Sequence, residues 1–162
     1  MIRDVRQHFP LRGVWLVGTS AGTLSAVNAA ARLADSPDAP TGIILTSALT
    51  ATVARAAETK TVFSPDYPGL GAITVPTFVV WHELDVCGAS PGANGMSVFD
   101  ALTALAPVQK DNASFQGGGS FGADCEAQAY HGFNGIEDNV ALSIAAFIKA
   151  RTPAFIIDPI RP

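Results

Sequence analysis

The chain has 162 residues, of which 48% are apolar and 15% are charged, and its formal net charge is −4. This length suits one domain with a buried core, and the composition excludes a disordered chain. The negative charge and the lack of any Lys/Arg-rich run argue against a nucleic-acid partner, and no apolar run approaches the roughly 18 residues of a membrane span.

Apolar runs alternate with helix-forming stretches along the chain. In chain order they predict a helix at 2–8, a strand at 14–17, a helix at 21–34, a strand at 42–49 and a short helix near 51–57. The second half predicts a strand at 75–81, a helix at 93–105, a strand at 108–116 and a helix at 136–149. The tail at 151–162 is expected to add an edge strand or to pack across the surface.

Strands that alternate with helices predict right-handed crossovers and a mostly parallel sheet with helices on both faces. We therefore expect a single α/β domain over residues 1–162. Functional residues of such sheets gather at the carboxyl ends of the strands. Three loops follow predicted strands, and they lie at residues 18–22, 82–91 and 117–135.

The segment from Gly18 to Gly22, GTSAG, fits the pattern G-x-S-x-G between a predicted strand and a predicted helix. A nucleophilic serine in this pattern sits on a sharp, strained turn, and the flanking glycines let the strand and the helix approach closely. The start of the helix would offer the Ala21 N–H to a developing oxyanion. Ser20 is thus a candidate nucleophile, and the alternative is a small residue in a tight turn.

A serine hydroxyl is a poor nucleophile without a neighbouring base, and the chain has three histidines. His8 lies on the first predicted helix, where we expect it to be solvated. His82 ends the third predicted strand, where a packing or loop-stabilising role is expected. His131 lies in a glycine-rich loop between the last strand and the last helix, and we predict that it is the base.

An imidazole base needs an acidic partner on its other nitrogen. Asp85 follows the third predicted strand by a few residues and is the predicted partner. Glu83 comes too early, and Asp124 is expected to be a solvated loop charge. Along the chain the three residues follow in the order Ser20, Asp85, His131. This is the order expected for a nucleophile, its acid and its base on this architecture.

The chain contains two cysteines, Cys87 and Cys125. Composition alone leaves open a disulfide, two buried thiols or half of a metal site. A metal site built from His82, Asp85 and Cys87 would lack the ligand spacing of zinc sites.

Three segments together resemble the α/β-hydrolase superfamily, specifically its carboxyl-terminal half. VGTSAG resembles the nucleophile elbow, VPTFVVWHELD the strand and loop that carry the acid, and HGF the histidine loop. The resemblance extends over about residues 1–150. It implies Ser20 as nucleophile, Asp85 as acid, His131 as base and the Ala21 N–H as one oxyanion donor, and it implies no cofactor or metal.

The segments HELDVCGASP and CEAQAYHGFNGIE also resemble a bacterial branch whose acid and histidine loops each carry a cysteine. This likeness implies a disulfide between Cys87 and Cys125, worth roughly 3–4 kcal/mol of stability, with two buried free thiols as the alternative. A disulfide would indicate an oxidising compartment, periplasmic or extracellular. The first ten residues, MIRDVRQHFP, lack an apolar h-region, so we expect no signal peptide in them.

The chain departs from the family before its first predicted strand. The family supplies a second oxyanion N–H from an earlier loop, and no HGGG-like segment precedes Ser20. The strand at 14–17, which lies mid-sheet in the family, would become an edge here. Because an apolar unpaired edge invites association, we predict a homo-oligomer that covers it.

These observations predict a serine hydrolase that cleaves small carboxylic esters through an acyl-enzyme intermediate. A small ester is the expected substrate because little chain remains for a lid or a large specificity domain. The alternative is a catalytically weak or inactive remnant that serves as a binding or oligomerising module.

Overall fold

A parallel sheet of four strands forms the centre of the molecule in the computed structural model, which describes residues 1–9, 13–52, 60–61 and 69–152. The strands in chain order are β1 (Trp15–Thr19), β2 (Gly42–Thr46), β3 (Ala51–Thr52), β4 (Lys60–Thr61), β5 (Thr77–His82) and β6 (Lys110–Phe115). The central sheet has the order β1-β2-β5-β6, whereas β3 and β4 pair with each other as a small antiparallel ladder.

The two middle strands are buried along their whole length. Every residue of β2 and of β5 is buried, and Ile43 pairs with Thr77 at the start of their shared register. Strands covered on both faces have near-continuous apolar runs rather than alternating ones. The runs GIILT and TFVVWH show this pattern, and their continuous apolar character is what identifies both strands in the sequence.

Helices cover both faces of the sheet, as predicted. They are α1 (Ile2–His8), α2 (Gly22–Arg32), α3 (Gly95–Asp100) and α4 (Glu137–Arg151). The helices α2 and α3 enclose one apolar cluster with Ile43, Leu45 and Val79, while α4 encloses a second with Ile44, Phe78 and Val80. In the second cluster the Phe147 ring of α4 stacks on Phe78 at a centroid distance of 4.7 Å.

Two predicted elements end at least three residues earlier in the structure. The strand predicted at 42–49 ends at Thr46, because the next residue, Ser47, has a positive φ of 43° and leaves the extended conformation. The helix predicted at 93–105 is a 3-10 turn at Gly92–Asn94 followed by the six residues of α3. The ammonium of Lys110 contacts the Phe99 and Leu102 carbonyl oxygens at 3.4 and 3.1 Å. It thus supplies the hydrogen bonds that the N–H groups of a further helical turn would otherwise donate.

The prediction of a helix near 51–57 is wrong at its first two residues. There, Ala51–Thr52 forms a strand that pairs with Lys60–Thr61. Ladder hydrogen bonds to a distant segment replace the local bonds of a helix there. Residues 53–57 lie outside the described part of the chain, as do residues 153–162 of the tail. At the start of that tail, Arg151 is the last residue of α4.

The strand β1 lies at one edge of the central sheet, and no described strand pairs with its outer side. Its Val17 is 57% exposed. A groove of about 860 Å³ runs along this edge between β1 and α2, with the apolar side chains of Leu16, Val17 and Leu33 in its lining. The described residues contain no helix that is both long and apolar enough to cross a membrane. The homo-oligomer expected at this edge stays a prediction.

Candidate active site

Ser20 occupies a strained turn between β1 and α2. Its φ is +52°, in the left-handed region that costs an L-residue roughly 1–2 kcal/mol. The Ser20 N–H donates to the Thr46 carbonyl oxygen at 3.0 Å, which ties the turn to the end of β2. The Ser20 carbonyl oxygen accepts from the Thr23 N–H at 3.0 Å and from the Thr23 hydroxyl at 2.6 Å. The first turn of α2 thus holds Ser20 in this conformation.

The two glycines of the GTSAG segment have different roles. A Cβ on Gly18 would lie 2.6 Å from the Gly22 carbonyl oxygen, so only a glycine lets the strand and the helix approach this closely. A Cβ on Gly22 would meet no atom within 4 Å. The prediction that both glycines serve close approach is wrong for Gly22, because that residue faces the open groove beside β1.

Asp85 and His131 form a buried pair. The Nδ1 atom of His131 lies 2.9 Å from Oδ2 of Asp85, and the two residues are 4% and 3% exposed. The second carboxyl oxygen, Oδ1, accepts from the Cys87 N–H at 2.9 Å. A carboxylate only accepts hydrogen bonds, so Nδ1 of His131 donates and Nε2 carries the lone pair. The imidazole is thus held in the tautomer that a general base requires.

The remaining ring nitrogen of His131, Nε2, is buried and has no hydrogen-bond partner among the described residues. Buried polar atoms without a partner are rare in native proteins and ask for a physical explanation. Ser20 follows β1 and His131 follows β6, so both loops leave the parallel sheet at the carboxyl ends of its strands. The described contacts include no hydrogen bond between the Ser20 hydroxyl and this nitrogen.

Two consecutive residues at the end of β2 contact both loops. The Thr46 carbonyl oxygen accepts from the Ser20 N–H, while the Ser47 hydroxyl donates to the His131 carbonyl oxygen at 2.8 Å. Ser47 is not among the residues predicted for the site, because the strand predicted at 42–49 includes it. The carboxyl-end rule for parallel sheets would have identified it if the strand had been ended at Thr46.

A disulfide joins Cys87 and Cys125, across 38 positions of sequence. Cys87 lies two residues after Asp85, and Cys125 lies six residues before His131. The described part of the chain has no free cysteine. The bond links the loop that carries the acid to the loop that carries the imidazole.

The competing residues make other contacts. His82 is fully buried, with Nδ1 accepting from the Leu84 N–H at 3.1 Å and Nε2 lying 2.9 Å from the Gly117 carbonyl oxygen, and this is the packing role predicted for it. The side chain of His8 is 70% exposed.

Neither competing acid approaches the imidazole of His131. Glu83 is exposed and accepts hydrogen bonds from Gln116 and Ser114, which lower the pKa of its carboxyl below the ordinary value. Asp124 is exposed, as expected for a solvated loop charge.

The donor groups near Asp85 are used within the protein. The Cys87 sulfur is bonded to Cys125, and both nitrogens of His82 have partners. Across the described ranges, no three His, Cys, Asp or Glu side chains are grouped as metal ligands. What the arrangement offers chemically is an oriented imidazole and a strained serine turn at the same carboxyl end of the sheet.

Comparisons with known proteins support the fold. No protein-family model matches the chain, and no curated protein matches it either. The solved structure of TT1662 from Thermus thermophilus superposes with a TM-score of 0.62 at 17% identity, covering 94% of this chain and 59% of TT1662. The chain therefore spans about three fifths of that protein's length.

Two further solved structures are similar. One belongs to a study of LipS and LipT, two metagenome-derived lipolytic enzymes, with a TM-score of 0.56 at 14% identity and coverage of 92% of this chain and 70% of the other. The other is BpoC from Mycobacterium tuberculosis H37Rv, which carries the name of a non-heme bromoperoxidase, with a TM-score of 0.58 at 14% identity and coverage of 94% and 74%. These similarities confirm the α/β-hydrolase-like fold of this chain.

Proposed function

We propose that the protein is a serine hydrolase that cleaves small carboxylic esters. The observation that carries this proposal is the buried hydrogen bond between Asp85 and His131, in loops that leave the sheet at the same carboxyl end as the strained Ser20 turn. A buried carboxylate and imidazole are costly to desolvate unless they are paired. Their pairing here orients Nε2 for proton transfer, which a purely structural loop contact does not require.

In the proposed reaction, the Ser20 hydroxyl attacks the ester carbonyl while Nε2 of His131 takes its proton. Asp85 orients the ring and stabilises the imidazolium that forms. The Ala21 N–H, at the start of α2, donates to the oxyanion of the tetrahedral intermediate. Collapse of the intermediate releases the alcohol, protonated by His131, and water activated by the same imidazole then releases the acid.

We infer the substrate class from the loops at the candidate site and from the structural neighbours. The LipS and LipT proteins are described as lipolytic enzymes, which favours an ester bond as the target. The described loops around Asp85 and His131 contain only single turns of 3-10 helix and no separate lid domain. Small esters, such as those of acetate or butyrate, fit this arrangement best.

Covalent labelling with a fluorophosphonate tests the proposal, with intact mass and peptide mapping as the readout. We expect one adduct per chain on Ser20, none on a Ser20→Ala variant and strongly slowed labelling of a His131→Ala variant. Absence of any adduct on folded wild-type protein would overturn the proposal. A panel of p-nitrophenyl esters then measures the dependence of kcat/KM on acyl length.

The open edge of β1 favours a second candidate, a binding or oligomerising module that does not catalyse. Its Val17 is 57% exposed beside the apolar groove. This candidate predicts that Ser20→Ala leaves every function of the protein intact. The labelling experiment therefore separates the two candidates.

A further inference from the structure

We propose that Ser47 is a positioning residue, which fixes the backbone of His131 and thereby keeps the imidazole aligned between Asp85 and Ser20. This inference rests on the proposed function, because it assigns Ser47 a part in the same reaction. Ser47 touches neither the substrate nor the reacting atoms in this role. It acts through the carbonyl group of His131.

The contact between the two residues is buried and direct. Ser47 is 1% exposed, and its Oγ donates to the His131 carbonyl oxygen at 2.8 Å across 84 positions of sequence. Removing the hydroxyl would leave a carbonyl oxygen without its donor in a buried environment, where an unsatisfied polar group is costly. We expect the histidine loop to shift in order to recover a partner.

Ser47 is itself anchored to the middle of the sheet. Its N–H donates to the Val80 carbonyl oxygen of β5 at 2.9 Å. The preceding residue, Thr46, accepts the Ser20 N–H with its carbonyl oxygen. The consecutive residues Thr46 and Ser47 therefore contact the serine turn through a backbone carbonyl group and the histidine loop through a side-chain hydroxyl.

The backbone of Ser47 is an independent indication that its hydroxyl matters. Its φ of +43° lies in the left-handed region, which glycine adopts freely and other residues adopt at a cost. A glycine would relieve that cost but would lack the hydroxyl. Replacing Ser47 with glycine thus separates backbone preference from hydrogen bonding.

The test compares Ser47→Gly with wild type in ester hydrolysis and in denaturant unfolding. We expect little net change in stability, because relief of the backbone cost offsets the loss of the buried hydrogen bond. We also expect an unchanged KM and a fall in kcat of roughly 10- to 100-fold, since a misplacement of about 1 Å can cost about 100-fold. If the glycine variant does not fold, Ser47→Ala gives the same comparison with the Cβ retained. A kcat within twofold of wild type in a folded variant would overturn the proposal.

Thr77→Val is the matched control. Thr77 is the first residue of β5, at the end of the strand that lies away from the candidate site. It is fully buried, and its hydroxyl donates to the Val75 carbonyl oxygen at 2.9 Å. We expect this variant to lose stability while keeping kcat. An equal loss of kcat in both variants would overturn the positioning role, because any buried hydroxyl would then have the same effect.

A spectroscopic readout keeps this test separate from the proposed function. The proton on Nδ1 of His131, hydrogen-bonded to Asp85, gives a far-downfield proton resonance that does not depend on turnover. We expect Ser47→Gly to shift or broaden this resonance and Thr77→Val to leave it unchanged. If wild type hydrolyses no ester but the resonance still responds to Ser47→Gly, the proposed function fails and the positioning contact stands. An unchanged resonance in Ser47→Gly overturns the contact itself.

Discussion

Among the described residues, three that are not glycine have a positive φ, namely Ser20, Ser47 and Phe133. Each belongs to the candidate site or adjoins it: Ser20 is the proposed nucleophile, Ser47 contacts His131, and Phe133 follows His131 by two residues. Such conformations cost about 1–3 kcal/mol each and persist only where the surrounding structure holds them. Their concentration at one end of the sheet supports a functional rather than a merely architectural site.

At Asp85, replacement by asparagine tests the orientation of the imidazole. The amide nearly preserves the shape of the carboxylate, but its NH2 group can donate to Nδ1 and so favour the wrong tautomer. We expect Asp85→Asn to lower kcat by roughly 10,000-fold with the protein still folded, as the same substitution does in an established Ser-His-Asp triad. Steady-state hydrolysis of p-nitrophenyl acetate measures the effect, and Glu83→Gln is the control. A fall of less than tenfold would contradict the assigned role.

The two elbow glycines form a matched pair for stability. Gly18→Ala places a Cβ 2.6 Å from the Gly22 carbonyl oxygen, and we expect it to destabilise the fold by about 1–3 kcal/mol. Gly22→Ala meets no atom and adds a better helix former at the start of α2, so we expect it to be neutral or stabilising by up to about 1 kcal/mol. Denaturant unfolding measures both. Equal effects of the two variants would contradict the geometry.

At the level of the loops, the disulfide joins two segments that the sheet alone leaves independent. The Cys87 N–H also donates to Asp85, so the bond constrains a residue in direct contact with the acid. We expect the double variant Cys87→Ala/Cys125→Ala to be less stable by roughly 3–4 kcal/mol, the size expected for a closed loop of this length. Denaturant unfolding in the absence of reductant measures the difference.

Reductant supplies the control for that experiment. Treatment with dithiothreitol should lower the unfolding midpoint of wild type toward that of the double variant, which has no bond to lose. The variant itself should not respond. Equal midpoints for oxidised wild type and the double variant would contradict a stabilising disulfide.

The carboxyl of Glu83 links the end of β5 to β6 and should make stability depend on pH. Hydrogen bonds from Gln116 and Ser114 hold its pKa in the folded state below the ordinary value. Because the folded pKa is lowered, the stabilisation is fully present above the pKa of the unfolded chain and is lost as the pH falls through the folded pKa. The stability difference between wild type and Glu83→Gln should therefore shrink on acidification.

Denaturant unfolding over a pH series measures that difference. Gln116→Ala removes the larger cause of the shift, so the carboxyl of Glu83 should titrate closer to its ordinary range in this variant. Carboxyl resonances followed by NMR would show the change. An identical titration in both proteins would contradict the assigned cause.

Sequence periodicity predicted the central strands well and the connections less well. β2 and β5 are continuous apolar runs, and burial on both faces of a parallel sheet produces that pattern directly. The end of β2 was not predictable, because Ser47 leaves the strand to bond a residue 84 positions away. The strand at Ala51–Thr52 is likewise set by pairing with Lys60–Thr61, which local propensity does not encode.

The candidate site was predictable where residue type and chain order both carry information. The loops of Ser20, Asp85 and His131 follow three strand ends, and the predicted contact between Asp85 and His131 is present. Their roles in catalysis stay predictions. The resemblance to known hydrolases also indicated the disulfide, which the cysteine count alone left open. The different roles of Gly18 and Gly22 required coordinates, because both glycines fit the same pattern.

For the whole molecule, the edge at β1, with which no described strand pairs, has consequences for assembly. An exposed apolar strand edge is a template for pairing with another chain. We expect light scattering to show a homo-oligomer, and Val17→Lys to shift it toward the monomer without loss of fold. Leu142→Lys, at an even more exposed position on α4, should leave the assembly unchanged. A monomeric wild type would contradict this prediction.

The order of the central strands in space, β1-β2-β5-β6, is also their order along the chain. A chain that emerges from the ribosome amino end first can therefore add each strand to the growing edge, and no later strand has to insert between two that are already paired. The turn at Ser20 and its anchor at Thr46 form early in this sequence of events. Asp85 follows with β5, and His131 comes last, together with Cys125, which ties its loop to Cys87. During synthesis Ser20, the proposed nucleophile, would thus have no imidazole to activate it until His131 has been added and its loop has folded.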